Sequence, residues 1–335
     1  MALTRAWYRK SVAPWLWLLL PLHALFVAIS TWRRKRLQAQ NLPKLAVPVI
    51  VVGNISVGGT GKTPVTLALT RYLKAQGQRP AIISRGYGGS GPFPLRVTPE
   101  TSAAVCGDEP LLLARRSGVP VVVAPQRLAA VAEVLRSAPE TTVIISDDGL
   151  QHYALPRQFE IAVVDAARGL GNGWRLPIGP LREHKTRLES VDAVIINGKL
   201  RPDTLPGVRP PAVYEMQLQP RGWRRVSDDQ PCPQLPAGKT LALAGIGHPQ
   251  RFFDTVATVT SRAFATRAYA DHYAFNEADV KQVADYEVVL MTEKDATKWH
   301  GFAPQHCYYL PVEAELPDAF WQQLDAAIAR FTNDT

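Results

Sequence analysis

The chain has 335 residues, 46% of them hydrophobic and 20% charged. That composition supplies a sizeable core for two domains or one large one and excludes a wholly disordered chain. Three widely spaced cysteines, Cys106, Cys232 and Cys307, form no CxxC pair, which argues against a disulfide framework or a cysteine zinc site and fits a reducing compartment. The net charge of +9 is unevenly spread: the first acidic residue is Glu100, and fourteen basic residues precede it. The remaining 236 residues carry 24 bases and 29 acids. A field of one sign over the first part of the chain attracts phosphates or anionic headgroups.

Ser11 to Trp32 contains no Asp, Glu, Lys or Arg. Its most apolar part, Val12 to Ile29, reaches about 27 Å as a helix, marginal for a span, and Pro14, Pro21 and His23 weaken it further. Arg5, Arg9 and Lys10 precede it and Arg33 to Arg36 follow, so charge gives no orientation. A cleaved signal peptide is disfavoured by the long apolar region and the four bases after it. The segment reads as an uncleaved helix lying in or dipping into a leaflet, with a single span as the alternative.

After the linker Leu37 to Pro48, the apolar run Val47 to Val52 reads as a buried strand. A glycine-rich loop and a helix with Val65, Ala68, Leu69, Tyr72 and Leu73 on one face follow, ending near Gly77. Strands are expected over Ala81–Ile83, Val119–Val123, Thr142–Ile145, Ile161–Val164 and Ala193–Ile196, with a helix over Leu128–Leu135. This alternation implies an open parallel sheet covered on both faces. The Pro- and Gly-rich stretch Arg201–Pro211 marks a domain boundary. Beyond it come a strand over Thr240–Ala244, a helix over Gln250–Val256, a strand over Tyr286–Met291 and a helix over Phe320–Phe331.

The loop Ser56-Val57-Gly58-Gly59-Thr60-Gly61-Lys62-Thr63 lies between strand and helix, the context of a phosphate-binding P-loop. Its glycines let backbone N–H groups turn towards phosphate, and the helix N-terminus adds its dipole. Lys62 reaches the β- and γ-phosphates, and Thr63 ligates Mg²⁺. Ser56 stands where the general pattern has Gly or Ala. Asp147 and Asp148 end an apolar strand, where an acidic group beside Mg²⁺ belongs in such proteins. Guanine recognition wants an NKxD signature, which Thr292-Glu293-Lys294-Asp295 does not supply, so a GTPase is disfavoured.

Eight blocks in order then resemble the tetraacyldisaccharide 4′-kinase family of lipid A biosynthesis. They are Gly53–Pro64, Ser84–Gly89, Gly107–Pro110, Asp147–His152, Pro177–Glu183, Ala244–Pro249, Asp271–Tyr273 and Thr292–Asp295. The resemblance implies ATP and Mg²⁺ as cofactors and transfer of the γ-phosphoryl group to the 4′-hydroxyl of an acylated disaccharide 1-phosphate, giving lipid IVA. It implies work at the cytoplasmic face of the bacterial inner membrane, on its lipid surface, with the N-terminal helix helping to capture the lipid. By the same resemblance Asp108 is the base and His272 its partner, Arg182 stabilises phosphate, and Gln151 and Glu183 join Thr63, Asp147 and Asp148 at the metal. Asp108 alone reads as a helix N-cap. Arg85, Tyr87, His248, His152 and Asp165 stay open between site and structural roles.

The expected fold class is α/β. It comprises an N-terminal membrane-associated helix (1–36), a P-loop domain (37–203) and a smaller Rossmann-like domain (204–335) closing over the nucleotide. A membrane-associated P-loop ATPase acting as a switch or partition module is the alternative, but it leaves Asp108 with His272 unexplained. Nucleic acid and an obligate protein partner are not expected.

Overall fold

The structure, a computed structural model, describes residues 2–9 and 11–334. Met1 and Lys10 of the expected segment 1–36, and Thr335, lie outside the described residues. Among the described residues, fifteen strands form two sheets. They are β1 (Val49–Gly53), β2 (Pro80–Ser84), β3 (Leu95–Val97), β4 (Val121–Val123), β5 (Val143–Asp147), β6 (Phe159–Asp165), β7 (Ala193–Asn197), β8 (Val213–Pro220), β9 (Trp223–Arg225), β10 (Pro231–Cys232), β11 (Thr240–Ala244), β12 (Ala265–Ala268), β13 (Val288–Thr292), β14 (Cys307–Leu310) and β15 (Val312–Glu315). The helices are α1 (Ala2–Trp7), α2 (Leu20–Gln38), α3 (Lys62–Ala75), α4 (Ala103–Cys106), α5 (Asp108–Ser117), α6 (Arg127–Ser137), α7 (Pro249–Val259), α8 (Glu277–Lys281), α9 (Glu293–Trp299) and α10 (Asp318–Asp334).

The large sheet has the order β15-β8-β7-β6-β1-β5-β2-β4-β3 and the small one β10-β9-β14-β13-β11-β12. From β8 to β4 the large sheet is parallel, and the antiparallel strands β15 and β3 close its edges. Strands such as Val49-Ile50-Val51-Val52 bury every side chain because helices cover both faces, giving two separate apolar cores. The chain enters at β1, between β5 and β6, where the connections diverge to opposite sides. The crevice at the carboxyl ends of such strands is the usual ligand site of an open α/β sheet.

The boundary expected between residues 203 and 204 does not divide two contiguous bodies. β8, β15 and α10 all belong to the large sheet, and Ala314, Phe320 and Leu324 share the core of Ile50 and Val65. Only β9 to β14 build the small body, so it is an insertion between β8 and β15.

The N-terminal segment is also broken differently from a single helix over Ser11–Trp32. A 3₁₀ turn, Pro14–Leu19, precedes α2, with Pro21 in the first turn of that helix, where a missing N–H costs nothing. The helix then runs through Arg33–Arg36 to Gln38. Trp7, Ala13 and Leu16 pack against Ile178 in a small core of their own. Trp17, Leu18, Leu22, Leu25, Ile29 and Trp32 of the same segment stay exposed, and large apolar side chains gathered in the open mark an interaction site.

Because Phe320 is fully buried in the large core, Phe320→Ala should cost about 3–5 kcal/mol of stability. Urea unfolding should report that loss in the large body, and a variant as stable as wild type would contradict the shared core.

Candidate active site

Gly58 and Gly61 take φ of 105° and 100°, a region open to glycine and closed to most side chains. A Cβ on Gly61 would lie 2.4 Å from Asn197 Nδ2, the amide that donates to Thr60 O at 2.9 Å. Asn197 at the end of β7 thus fixes the loop from below. A second strap holds it from the side, for Val57 N donates to Pro180 O at 2.8 Å and Arg182 N to Ile55 O at 2.6 Å. Ser56 bridges Leu181 in the same way. The strap delivers Arg182 and Glu183 to the loop that carries Lys62.

Lys62 Nζ lies 3.4 Å from Asp148 Oδ1, and Arg182 Nη1 lies 3.4 Å from Asp148 Oδ2. Burial opposes ionisation of Asp148, but Lys62 and Arg182 outweigh it and hold the carboxyl well below the usual range. Asp148 sits at φ 49°, a left-handed conformation uncommon outside glycine. Arg127, buried at the start of α6, donates to the carbonyls of Asp147 and Asp148 at 3.3 Å each, which holds that turn in place. Asp147 is buried, bonded through Oδ1 to Thr66 at 3.2 Å. Its Oδ2 has no partner among the described residues, and burial followed by Glu109 pushes its pKa up to about 7.

Gln151 Nε2 donates to Glu183 Oε1 at 2.8 Å. Glu183 Oε2 also accepts from Tyr153 and lies 3.6 Å from Arg34 of α2. His152 is pushed down to about 3 by burial, then Arg127 and Arg85, which keeps the ring neutral.

Asp108 is the first residue of α5, with Gly107 at the N-cap, so the expectation of an N-cap is off by one. Its Oδ1 accepts from Glu109 N at 2.9 Å and its Oδ2 from His272 Nδ1 at 3.1 Å. Lys298 Nζ and Lys294 Nζ lie 3.6 and 3.8 Å from the same Oδ2. Burial works against the charge, and His272, Lys294 and Lys298 outweigh it, so the carboxyl stays well below its usual range. Both lysines come from α9 of the small body, and sequence reasoning missed them. The signal was their separation of four residues on one helical face, Lys294 lying in a block that the family resemblance also covers.

Further contacts join the two bodies. Arg251 of α7 donates to Asp165 Oδ2 at 2.9 Å and to Asn197 O at 2.8 Å, so Asp165 is a pin between the bodies. Arg168 donates to Gly247 O, and a Cβ on Gly247 would come within 2.9 Å of Gly59 N, which seats the loop before His248 against the P-loop.

Two cavities meet at this junction. One, about 480 Å³, runs from Gly59–Pro64 between the bodies, past Leu67, Met216, Leu218 and Phe252. The other, about 650 Å³, takes in Lys62, Asp148, Arg182 and His272 and opens along α2 at Phe26, Ser30, Arg33 and Leu37. Glu109, Lys62, Asp271 and Lys294 line both. Arg85 and Tyr87 line the second, where the Tyr87 ring meets His272 edge-on at 5.6 Å.

Residues 15–329 match the family of tetraacyldisaccharide-1-P 4′-kinases. The tetraacyldisaccharide 4′-kinase of Idiomarina loihiensis is 44% identical over 99% of both chains. That of Aeromonas hydrophila is 48% identical over 94% of this chain and 92% of its own. The chain belongs to the tetraacyldisaccharide 4′-kinase family. The crystal structure of Aquifex aeolicus LpxK in complex with ATP superposes with a TM-score of 0.77 at 26% identity, over 93% of this chain and 99% of that one. The protein is an α/β kinase of lipid A biosynthesis that uses ATP with Mg²⁺.

The residues present suit both groups. The first cavity joins a phosphate loop to an apolar chamber, as a nucleotide needs. The partnerless, buried Asp147 Oδ2, on a carboxyl whose other oxygen accepts from Thr66 of α3, is a hard oxygen of the kind Mg²⁺ takes. Among the described residues no three His, Cys, Asp or Glu side chains form a metal cage.

Gly61→Ala places a Cβ against Asn197 in a left-handed conformation, a strain of about 1–3 kcal/mol. ATP affinity of this kinase should fall by about tenfold or more, as measured by fluorescent-nucleotide titration. Unchanged affinity would show that the loop relaxes without Asn197.

Proposed function

We propose that phosphoryl transfer takes place where the two cavities meet, with ATP in the first and the acylated disaccharide phosphate in the second. The pairing of Asp108 with His272 carries this reading: the two residues are 164 positions apart, on different bodies, yet meet at 3.1 Å beside the P-loop. In this account Asp108 takes the proton of the 4′-hydroxyl while the hydroxyl oxygen bonds to the γ-phosphorus. The bond from that phosphorus to the bridging oxygen breaks, and its electron pair leaves with ADP. His272 orients the Asp108 carboxylate.

Lys62, the loop amides of Ser56 to Thr63 and Arg182 stabilise charge on the transferred group. Thr63 and Asp147, with Asp148, Gln151 and Glu183 directly or through water, would hold Mg²⁺, which when bound neutralises phosphate charge. The occupied oxygens of Glu183 favour a water-mediated part for it.

The reading extends to the membrane. His23 Nδ1 bonds to Arg175 O at 3.0 Å and Leu176 O at 3.2 Å, while Arg33, Arg34 and Leu37 line the second cavity. From His23 to Leu37, about 21 Å of helix therefore rests on the protein body. Such a contact supports a helix lying on the cytoplasmic surface of the inner membrane rather than crossing it, with residues 1–36 working as a lipid-capture segment. The exposed apolar side faces the acyl chains, Arg33 and Arg34 face the second cavity, and Lys35 and Arg36 face headgroup phosphates.

With radiolabelled ATP, Mg²⁺ and a tetraacyldisaccharide 1-phosphate in detergent, wild type should label the lipid. Asp108→Ala should label it about 10²–10⁴-fold more slowly while still binding nucleotide. Phosphate release without lipid labelling would favour an ATPase instead.

Truncating the N-terminus also strips Trp7 and Leu16 from the core under the strap. Substitution of exposed Leu18, Leu22 and Leu25 by serine is therefore the cleaner membrane test. It should lower recovery on anionic vesicles and leave ATP affinity unchanged. Undiminished recovery would count against surface docking.

A further inference from the structure

The ring of His272 lies between two carboxylates. Nδ1 faces Asp108 Oδ2 at 3.1 Å, and Nε2 lies 3.9 Å from Asp271 Oδ1. An imidazole placed between two carboxylates is drawn towards the doubly protonated form. Lys294 opposes this, with Nζ 3.4 Å from His272 Nε2 and bonded to Glu109 Oε1 at 2.8 Å. Tyr87 closes the remaining side with its ring edge, and Lys298 reaches the same carboxylate oxygen as His272 from beneath. Burial works against the charge on Lys294, but Glu109, Asp108 and Asp271 outweigh it and raise its affinity for the proton. An ammonium group has donors and no acceptor. A nitrogen that accepts from it offers a lone pair, and the ring proton then sits on Nδ1, although the bond to Asp108 still raises the ring's affinity for a second proton.

We propose that Lys294 is a positioning residue of the transfer: by donating to Nε2 of His272 it selects the neutral tautomer whose Nδ1–H orients Asp108. The inference rests on the reading of Asp108 as the base. It adds that the small body supplies two cations with different tasks. Lys298, tied to the buried Asp295 at 3.4 Å, is a fixed counter-ion for Asp108. Lys294, lining both cavities, sets the protonation of its partner. Asp271 is then the competitor whose pull Lys294 balances.

The test is ¹⁵N NMR of the full-length enzyme in detergent micelles at neutral pH, with His272 assigned through His272→Gln. The wild-type ring should show a protonated Nδ1 and an unprotonated Nε2. Lys294→Met should convert it to imidazolium and lower kcat for lipid phosphorylation by about ten- to hundredfold, with a smaller change in acceptor KM. Lys294→Arg should keep the neutral tautomer. Adding Asp271→Asn to Lys294→Met should return the ring to the neutral form and restore part of kcat, although the contact with Glu109 stays lost.

A wild-type ring protonated on Nε2 would overturn the proposal, and that spectrum needs no folded variant. So would a Lys294→Met enzyme whose ring changes while kcat does not, or a double variant without recovery. Full activity in Asp108→Ala would instead sink the reading of the base and leave the tautomer result standing.

Discussion

A carboxylate taken out of water has to be neutralised, and the groups that neutralise Asp108 come across a gap from the other sheet. His272, Lys294 and Lys298 all belong to the small body, while Asp108 opens a helix of the large one. Removing one partner of such a buried pair leaves an uncompensated charge, which costs more than the pair gains. The two bodies are therefore held in register by the charges gathered around Asp108. Arg251 on Asp165 and Arg116 on Glu293 add to the same junction. Separation of the bodies would take Asp108 away from His272 and the cavity beside the phosphate loop away from its wall in one movement.

The positions of the phosphate loop and of Asp147 with Asp148 are local facts, and the sequence carries them. A strand buried on both faces writes itself as an unbroken apolar run, so β1, β5, β7 and β11 were legible to within a residue or two. Strands at and next to a sheet's edge are not written that way. β8, Val213–Pro220, is mostly half-exposed, and β15 reads Val-Glu-Ala-Glu. Missing them led to a domain boundary at a single point where the chain in fact returns.

The pairing of Asp108 with His272 was visible only through family resemblance, because no periodicity connects residues so far apart. Asn197 and Arg127 were invisible for another reason. Each acts through backbone carbonyls, and a lone polar residue at the end of an apolar strand or the start of an alanine-rich helix looks like an ordinary terminus.

The small core formed by Trp7, Leu16 and Ile178 joins the lipid-facing segment to the strap that carries Arg182 and Glu183. Trp7 Nε1 donates to Pro177 O at 2.9 Å, and Trp17 meets Trp174 edge-on. A helix that rests on a surface by apolar contact alone could slide. One that also satisfies main-chain carbonyls is fixed in register. Acyl chains bound along α2 would thus lie at a set distance from the phosphate loop.

The insertion of the small body between β8 and β15 orders events during synthesis. The apolar helix leaves the ribosome first, and the phosphate loop soon after it. The strand and helix that complete the core around Val65 and Ile50 follow only when the whole small body has been made. The inserted body has its own two apolar cores and can fold while the sheet that flanks it is still one edge short. The face of the large sheet that β15 and α10 cover therefore stays open while the segment between Pro220 and Val312 is made.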